Sequence, residues 1–348
     1  MGFLGRRWTI VGLGGLSCGM GALFWITALT CSVRNAAVSA APQISVRPSA
    51  TLTPLLPSML LGQTIDLPAA HLSPSDRKIF TQLRSRARTE DWTNLPIGML
   101  TQRVGESFLG SPYQANLLDR ASQNTSGQET LTASLQQFDC VLFIETALAL
   151  EQMFQQPNLT YAQAETLFFK ALQQYRYRNG TLGDYCSRLH YFSDWILDHN
   201  RRGLVQEMGR SLGGIPLNRS LSFMSQNWRK YPVLVASPTF RTCITEAEAA
   251  IDTKNVFYIP TQQISQHYSK LQPGDVVGIV TRMKELDVTH SGLVYQRLDA
   301  NGTARSSKTG LMHASVRSGI KISPDLATYV GNVDGAIGIV VVRPLPLK

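Results

Sequence analysis

A single cysteine, Cys140, heads an apolar run, Cys140-Val141-Leu142-Phe143-Ile144, directly after Asp139. Two isolated histidines lie far downstream. His290 lies in Thr289-His290-Ser291-Gly292-Leu293-Val294-Tyr295, and His313 in Met312-His313-Ala314-Ser315. A thiol and two imidazoles are the groups of nucleophilic acyl transfer. The thiolate attacks, one imidazole moves protons, and a further polar group fixes its tautomer. A free thiol has a pKa of about 8.5, so little is thiolate at neutral pH. A helix start and a neighbouring imidazolium both lower that value. Asp139 can cap the helix, and unused first-turn N–H groups can form an oxyanion hole. The bland alternatives are a buried apolar cysteine and histidines at strand edges. A zinc site built from Cys140, His190, His290 and His313 is the metal alternative. Neither H-E-x-x-H nor paired C-x-x-C spacing is present, so no metal is expected.

The elements that position these groups are legible in part. Ser75 or Asp76 is expected to cap a helix through about Arg88, and a second helix runs from about Pro96 to Leu109. Leu131–Leu135 reads as a short strand entering the Cys140 helix, whose Val141, Ile144, Leu148 and Met153 recur at near-helical spacing. Thr160 is a candidate cap for a helix over about 161–177. The texture changes from about Val233. Strands are expected at Phe257–Ile259, Val276–Val280, Ser291–Tyr295, Leu311–Ala314 and Ile337–Val342, with turns at Pro273-Gly274-Asp275 and Asn301-Gly302. Helices first and antiparallel strands later predict an α+β fold. Gly292 allows close backbone approach beside His290.

The chain has 348 residues, 43% hydrophobic and 16% charged, which fits a packed globular protein. Its net charge of +9 is scattered rather than gathered into a basic stripe with aromatics, so nucleic acid is not the expected partner. Arg6 and Arg7 precede an apolar run from Trp8 to about Cys31, and Val38-Ser39-Ala40 precede Ala41. Residues 1–40 read as a signal peptide cleaved after Ala40, or as a retained membrane anchor. The chain is therefore expected to be exported to the periplasm or cell envelope, with a membrane tether as the alternative. Residues 41–75, rich in proline, read as a linker, leaving 76–348 as the working domain. Of five cysteines, Cys18 and Cys31 fall in the N-terminal segment. Cys186 and Cys243 could pair, leaving Cys140 reduced.

Beyond single residues, whole stretches resemble a known family. GESFLGSPY (105–113) resembles the helix and turn that open NlpC-type peptidoglycan hydrolases, which are papain-like. FDCVLFIE (138–145) resembles their nucleophile segment. LQPGDVVGIV (271–280), THSGLVY (289–295) and MHAS (312–315) resemble the strands that carry the base and the third polar residue. More narrowly, FDCVLFIETALAL, RLHYFSDWI and ELDVTHSGLVY resemble the N-acetylmuramoyl-L-alanine amidase-like family, over about residues 97–343. The resemblance implies a papain-like NlpC-type fold with N-terminal helices packed on an antiparallel sheet. It makes Cys140 the nucleophile, His290 the base and acid, and His313 the orienting residue. It also implies that Tyr113, Asp139, Arg188, His190, Tyr191, Asp194 and Trp195 meet the substrate. That substrate would be the amide between (anhydro-)N-acetylmuramic acid and L-alanine in peptidoglycan fragments, cleaved without a cofactor. Two departures stand out. Gln114-Ala115-Asn116 replaces the Trp-Gly-Gly common in NlpC hydrolases, and Val141-Leu142 replaces the Ser-Gly after the nucleophile. A non-catalytic muropeptide binder and a γ-D-glutamyl endopeptidase are the alternatives.

Overall fold

A computed structural model describes residues 70–118, 127–297 and 308–346. The chain divides after Gln63 into two units. Met1–Gln63 lies outside the described residues, with the expected export signal, and so does the Asn301-Gly302 turn. The second unit, Thr64–Lys348, holds every described residue.

Helix α1 spans Pro74–Thr89. Its cap is Ser73, two residues earlier than expected, and Pro74 occupies the first helical turn, where a missing N–H costs nothing. The stretch up to residue 75 is thus partly folded rather than all linker. Asp76 turns inward instead of capping: Oδ1 accepts from the Leu135 N–H at 2.8 Å and from Gln136 Nε2 at 3.1 Å. Helix α2, Ile97–Glu106, stops three residues short of Leu109. The turn after it is tied to the sheet, with Gly110 N–H donating to Ile320 O at 2.9 Å.

Residues 131–135 form no strand. Side chains, not a ladder, satisfy this segment. Arg176 Nη1 donates to Thr132 O at 2.6 Å, Asp76 takes the Leu135 N–H, and Leu131 and Leu135 are buried. The segment delivers the chain to helix α3, Cys140–Phe154, in which every residue from Leu142 onward is buried. A helix apolar all round belongs inside a protein. It lies against the sheet and helix α4, Tyr161–Arg176. Thr160 and Gln163 close a capping box at the start of α4. Glu145 of α3 and Arg176 of α4 form a buried ion pair at 2.8 Å, yet burial still pushes Glu145 up to about 7. Helix α5, Phe192–Arg202, ends at Gly203 in the left-handed region, φ 72°.

After α5 come strands β1 (Val205–Glu207) and β2 (Ile215–Pro216). Three helices follow: α6 (Phe223–Gln226), α7 (Pro232–Ala236) and α8 (Pro238–Ala250), of which the last two carry helix past the change of texture read at about Val233 and up to the first expected strand. Pro232 and Pro238 start the last two, as proline at a helix start allows. The strand-rich part begins with β3 (Phe257–Pro260) and continues with β4 (Val276–Thr281), β5 (Val288–Tyr295), β6 (Gly310–Ser315) and β7 (Gly319–Ser323). Helix α9 (Leu326–Gly331) and strand β8 (Ala336–Pro344) complete the order. The strands form one antiparallel sheet, β2-β3-β8-β4-β5-β6-β7, with β1 pairing β8. The fold is therefore α+β.

Strand alternation divides the core between two faces. Val276, Val280, Leu293, Met312 and Val340 join the core containing α3 and α4. Val277, Ile279, Val294, Leu311 and Ile339 join a second core with Leu326 and Val330 of α9. Helices thus cover both faces. Among the described residues, no helix is long and apolar enough to cross a membrane.

Cys186 and Cys243 form a disulfide across 57 residues, with Cα atoms 6.2 Å apart. It ties the segment before α5 to α8. Closing a loop of that length stabilises by about 4 kcal/mol in the chain-entropy model. A Cys186→Ser/Cys243→Ser variant is expected to lose about 2–4 kcal/mol. Denaturant melts with and without reductant check this: only the wild type should respond to reductant.

Candidate active site

Cys140 is the first residue of α3, and Asp139 is its cap. Asp139 Oδ1 accepts from the Val141 N–H at 3.1 Å and the Leu142 N–H at 2.8 Å. Phe143 N–H bonds Asp139 O. Asp139 is thus a helix cap. It also consumes donors that the sequence left open for an oxyanion. Of this first turn, the Cys140 N–H is left to face its own sulfur.

That arrangement changes the thiol. Burial, then the Asp139 charge, pushes Cys140 up to about 11, while the neighbouring Ser291 pulls the other way. The resting group is a neutral thiol, not the thiolate that a bare helix start would favour. Replacing Asp139 with Asn keeps a capping oxygen and removes the charge. Asp139→Asn is expected to lower the thiol pKa and speed alkylation at pH 8 by about three- to tenfold. Iodoacetamide kinetics check this.

His290 on β5 and His313 on β6 meet directly. His290 Nε2 and His313 Nδ1 are 2.8 Å apart, and His313 Nε2 lies 3.0 Å from Ser323 Oγ of β7. The rings cross edge to face, 4.9 Å between centroids. Gly292 makes this approach possible: a Cβ there would lie 2.7 Å from Met312 O and 2.9 Å from His313 Cβ. Burial lowers His290 to about 4, and burial with the His290 charge lowers His313 to about 3. Both rings are neutral near pH 7. One consistent assignment has His290 Nε2–H donating to His313 Nδ1, and His313 Nε2–H donating to Ser323. This leaves His290 Nδ1 with a free lone pair, as a general base needs.

Cys140, His290 and Ser291 line one cleft of roughly 120 Å³, with His190, Tyr191, Trp195 and Asp287 on its walls. Tyr113 stands near the sulfur, and burial, then any negative charge on Cys140 and Asp139, raises its phenol's pKa. A parallel bridge between Tyr113 and Phe138 holds it there. His190 Nε2 lies 2.8 Å from Tyr185 O, and burial lowers its pKa to about 3. The Tyr191 hydroxyl donates to Glu248 Oε1 at 2.5 Å, so that residue presents its ring rather than its hydroxyl to the cleft. Trp195 is 2% exposed and stacks on Phe192 at 5.5 Å.

Two expected substrate contacts are placed otherwise. Asp194 is gripped bidentately by Arg178, at 2.7 and 2.6 Å. Arg188 pairs with buried Glu129 at 2.6 Å. Neither lines the cleft. A buried charge is tolerable only when paired, and each pair holds its own segment.

The sequence reading missed four residues. Asp287, 1% exposed, accepts from the Ser193 N–H at 2.6 Å, capping α5 from the neighbouring sheet. It thereby pins the His190–Phe192 wall to the strand that carries His290. Ser323 holds His313, Tyr329 packs against it with tilted rings 4.5 Å apart, and Ser291 lies beside the sulfur. Only contacts across the fold reveal these roles. The adjacency of Asp287 and Ser291 to His290 was the one sequence signal. Among the described residues no group of three His, Cys, Asp or Glu side chains converges as a metal site.

Comparison with known proteins agrees with this reading of the family. The model of the N-acetylmuramoyl-L-alanine amidase-like family matches residues 103–338. An N-acetylmuramoyl-L-alanine amidase from Bacteroides uniformis is 28% identical with a TM-score of 0.63, over 72% of this chain and 99% of that one. A protein from Bacteroides fragilis described as a putative xylanase is also 28% identical, with a TM-score of 0.57 over 69% of this chain and 99% of its own. A Legionella pneumophila protein at 19% identity and a TM-score of 0.54 shares the fold over 78% of this chain and 98% of its own. No curated protein matches the chain. With two thirds of its length matched, the chain belongs to the N-acetylmuramoyl-L-alanine amidase-like family.

Proposed function

We propose that this protein is a cysteine amidase of papain-like, NlpC-type fold that acts on peptidoglycan fragments. It cleaves the amide between the lactyl carboxyl of (anhydro-)N-acetylmuramic acid and L-alanine. One observation carries the reading: the free thiol of Cys140 and the imidazole of His290 line a single cleft, and His313 occupies the other nitrogen of that imidazole.

His290 Nδ1 takes the Sγ proton as the sulfur attacks the lactyl carbonyl carbon. The C–S bond forms, and the carbonyl electron pair moves onto oxygen. The Cys140 N–H meets that oxyanion. Collapse breaks the C–N bond, and His290 gives its proton to the alanine nitrogen, which leaves as the free amine of the stem peptide. Water then attacks the thioester while His290 takes its proton. The muramic carboxylic acid departs and the thiol is restored. His313 stabilises the imidazolium that forms twice in this cycle. Atoms and charge balance without a cofactor.

Export to the periplasm or cell envelope is part of the proposal. The Arg6-Arg7 and apolar N-terminal pattern supports it, and so does the Cys186–Cys243 disulfide, a bond that persists in oxidising compartments. A tether through the N-terminal segment is compatible with it.

Mass spectrometry of a digested anhydro-muropeptide of defined stem tests the regiochemistry. The expected products are the sugar acid and a stem peptide with free L-alanine at its start. L-alanine retained on the sugar would identify an endopeptidase, and unchanged substrate that still binds would identify a non-catalytic binder.

A further inference from the structure

Ser291 follows the base on β5 and is 1% exposed. Strand alternation puts it on the face of Leu293, which packs into the core containing α3. His290 and His313 occupy the opposite face, against Tyr329 of α9. Ser291 lines the same cleft as Cys140, and its hydroxyl completes no hydrogen bond in the resting structure. It lies close enough to influence the sulfur without full bonding geometry. A buried hydroxyl without a partner is costly, and it stands ready for an acceptor formed during reaction.

The cleft creates such an acceptor. Deprotonation leaves a thiolate in a site that opposes it, through burial and the nearby Asp139 carboxylate. Val141 and Leu142, the first-turn donors that a helix start would offer, are bonded to Asp139. The other titratable groups around the sulfur are Tyr113, Tyr329 and His290, with His190 and Asp287 on the cleft wall. The phenols and His290 are neutral near pH 7, Asp287 bonds the Ser193 and Val288 N–H groups, and His190 bonds Tyr185 O.

We propose that the Ser291 hydroxyl, buried beside Cys140 and otherwise unbonded, is a catalytic donor that holds the Cys140 thiolate. The Sγ proton goes to His290 Nδ1. Ser291 keeps its own proton and turns its O–H toward sulfur, making a charge-assisted O–H···S⁻ bond. The backbone N–H of Ser291 assists from the same side. The inference rests on Cys140 as nucleophile, but its test needs no substrate, so it can fail while the amidase reading stands.

The test is the rate of Cys140 alkylation by iodoacetamide between about pH 6 and 10 in the full chain. Ser291→Ala should shift the profile to higher pH and slow alkylation at pH 8 by about fivefold or more. Its Tm should equal or exceed the wild-type value, because an unbonded buried hydroxyl has been removed. Ser291→Thr, which keeps the hydroxyl, should alkylate within about twofold of the wild type. An unchanged profile in Ser291→Ala overturns the proposal. So does slower alkylation that comes with a lower Tm, which would assign Ser291 to packing.

Discussion

Replacing Cys140 with Ala is expected to abolish release of the stem peptide, a loss of about 10⁴-fold or more. The other polar side chains of the cleft, hydroxyls, imidazoles and the Asp287 carboxylate among them, are weaker nucleophiles than a thiol. Ser291 has its hydroxyl on the α3 face with no base bonded to it, and His190 donates to a carbonyl and is held neutral. The change removes one partly exposed sulfur, so stability should move by less than about 1 kcal/mol. Thermal melting beside a stem-peptide assay separates the two effects. Wild-type turnover in Cys140→Ala would reject the thiol as nucleophile.

The histidines should be unequal. His290→Ala removes the proton carrier for both half-reactions, and kcat/KM should fall by about 10³-fold or more. His313 acts on His290 through one bond of 2.8 Å. His313→Ala frees the ring to rotate and to adopt the wrong tautomer, with an expected loss of about 10²-fold. His313→Asn can still offer an oxygen to His290 Nε2–H and should recover part of that loss. Equal or larger loss at His313 would mean that the two roles are exchanged. The pH profile adds an independent sign. A base lowered to about 4 is active when neutral, so activity should hold from neutral pH down toward 4 and fall as the ring protonates. A resting thiolate–imidazolium pair would instead lose activity on the alkaline side as the imidazolium deprotonates.

Local rules carried much of the fold. The cap at Thr160, the apolar α3 and the short strand-like runs of β4, β5 and β6 each follow from short-range pattern, and each forms. Where long-range contacts decided, pattern misled. Leu131–Leu135 has a strand's composition but no partner strand, and Arg176 and Asp76 bind its backbone instead. Gly319–Ser323 is too short and polar to announce itself, yet it pairs with β6 and brings Ser323 to His313. The helices at 223–250 lack a long amphipathic repeat. They are held by Glu248, which takes the Tyr191 hydroxyl and the Met224 and Ser225 N–H groups, and by the disulfide.

The site shows the same division. Cys140, His290 and His313 stood out because a thiol and imidazoles are rare and chemically distinctive. Arg188 and Asp194 were expected from the family resemblance alone, and their partners Glu129 and Arg178, elsewhere in the sequence, hold them in structural pairs. Asp139 was legible as a cap. Its effect on the thiol was not, because a carboxylate that satisfies the helix start also opposes the charge that the helix start would favour.

An affinity label places the central claim under the most direct test. An anhydro-muramoyl peptide whose lactyl amide is replaced by a chloromethyl ketone should alkylate one residue, Cys140, in proportion to lost turnover. Excess unmodified muropeptide should protect it. Peptide mapping that finds Cys140 unlabelled in fully inactivated protein, or full turnover after Cys140 is completely labelled, would contradict it.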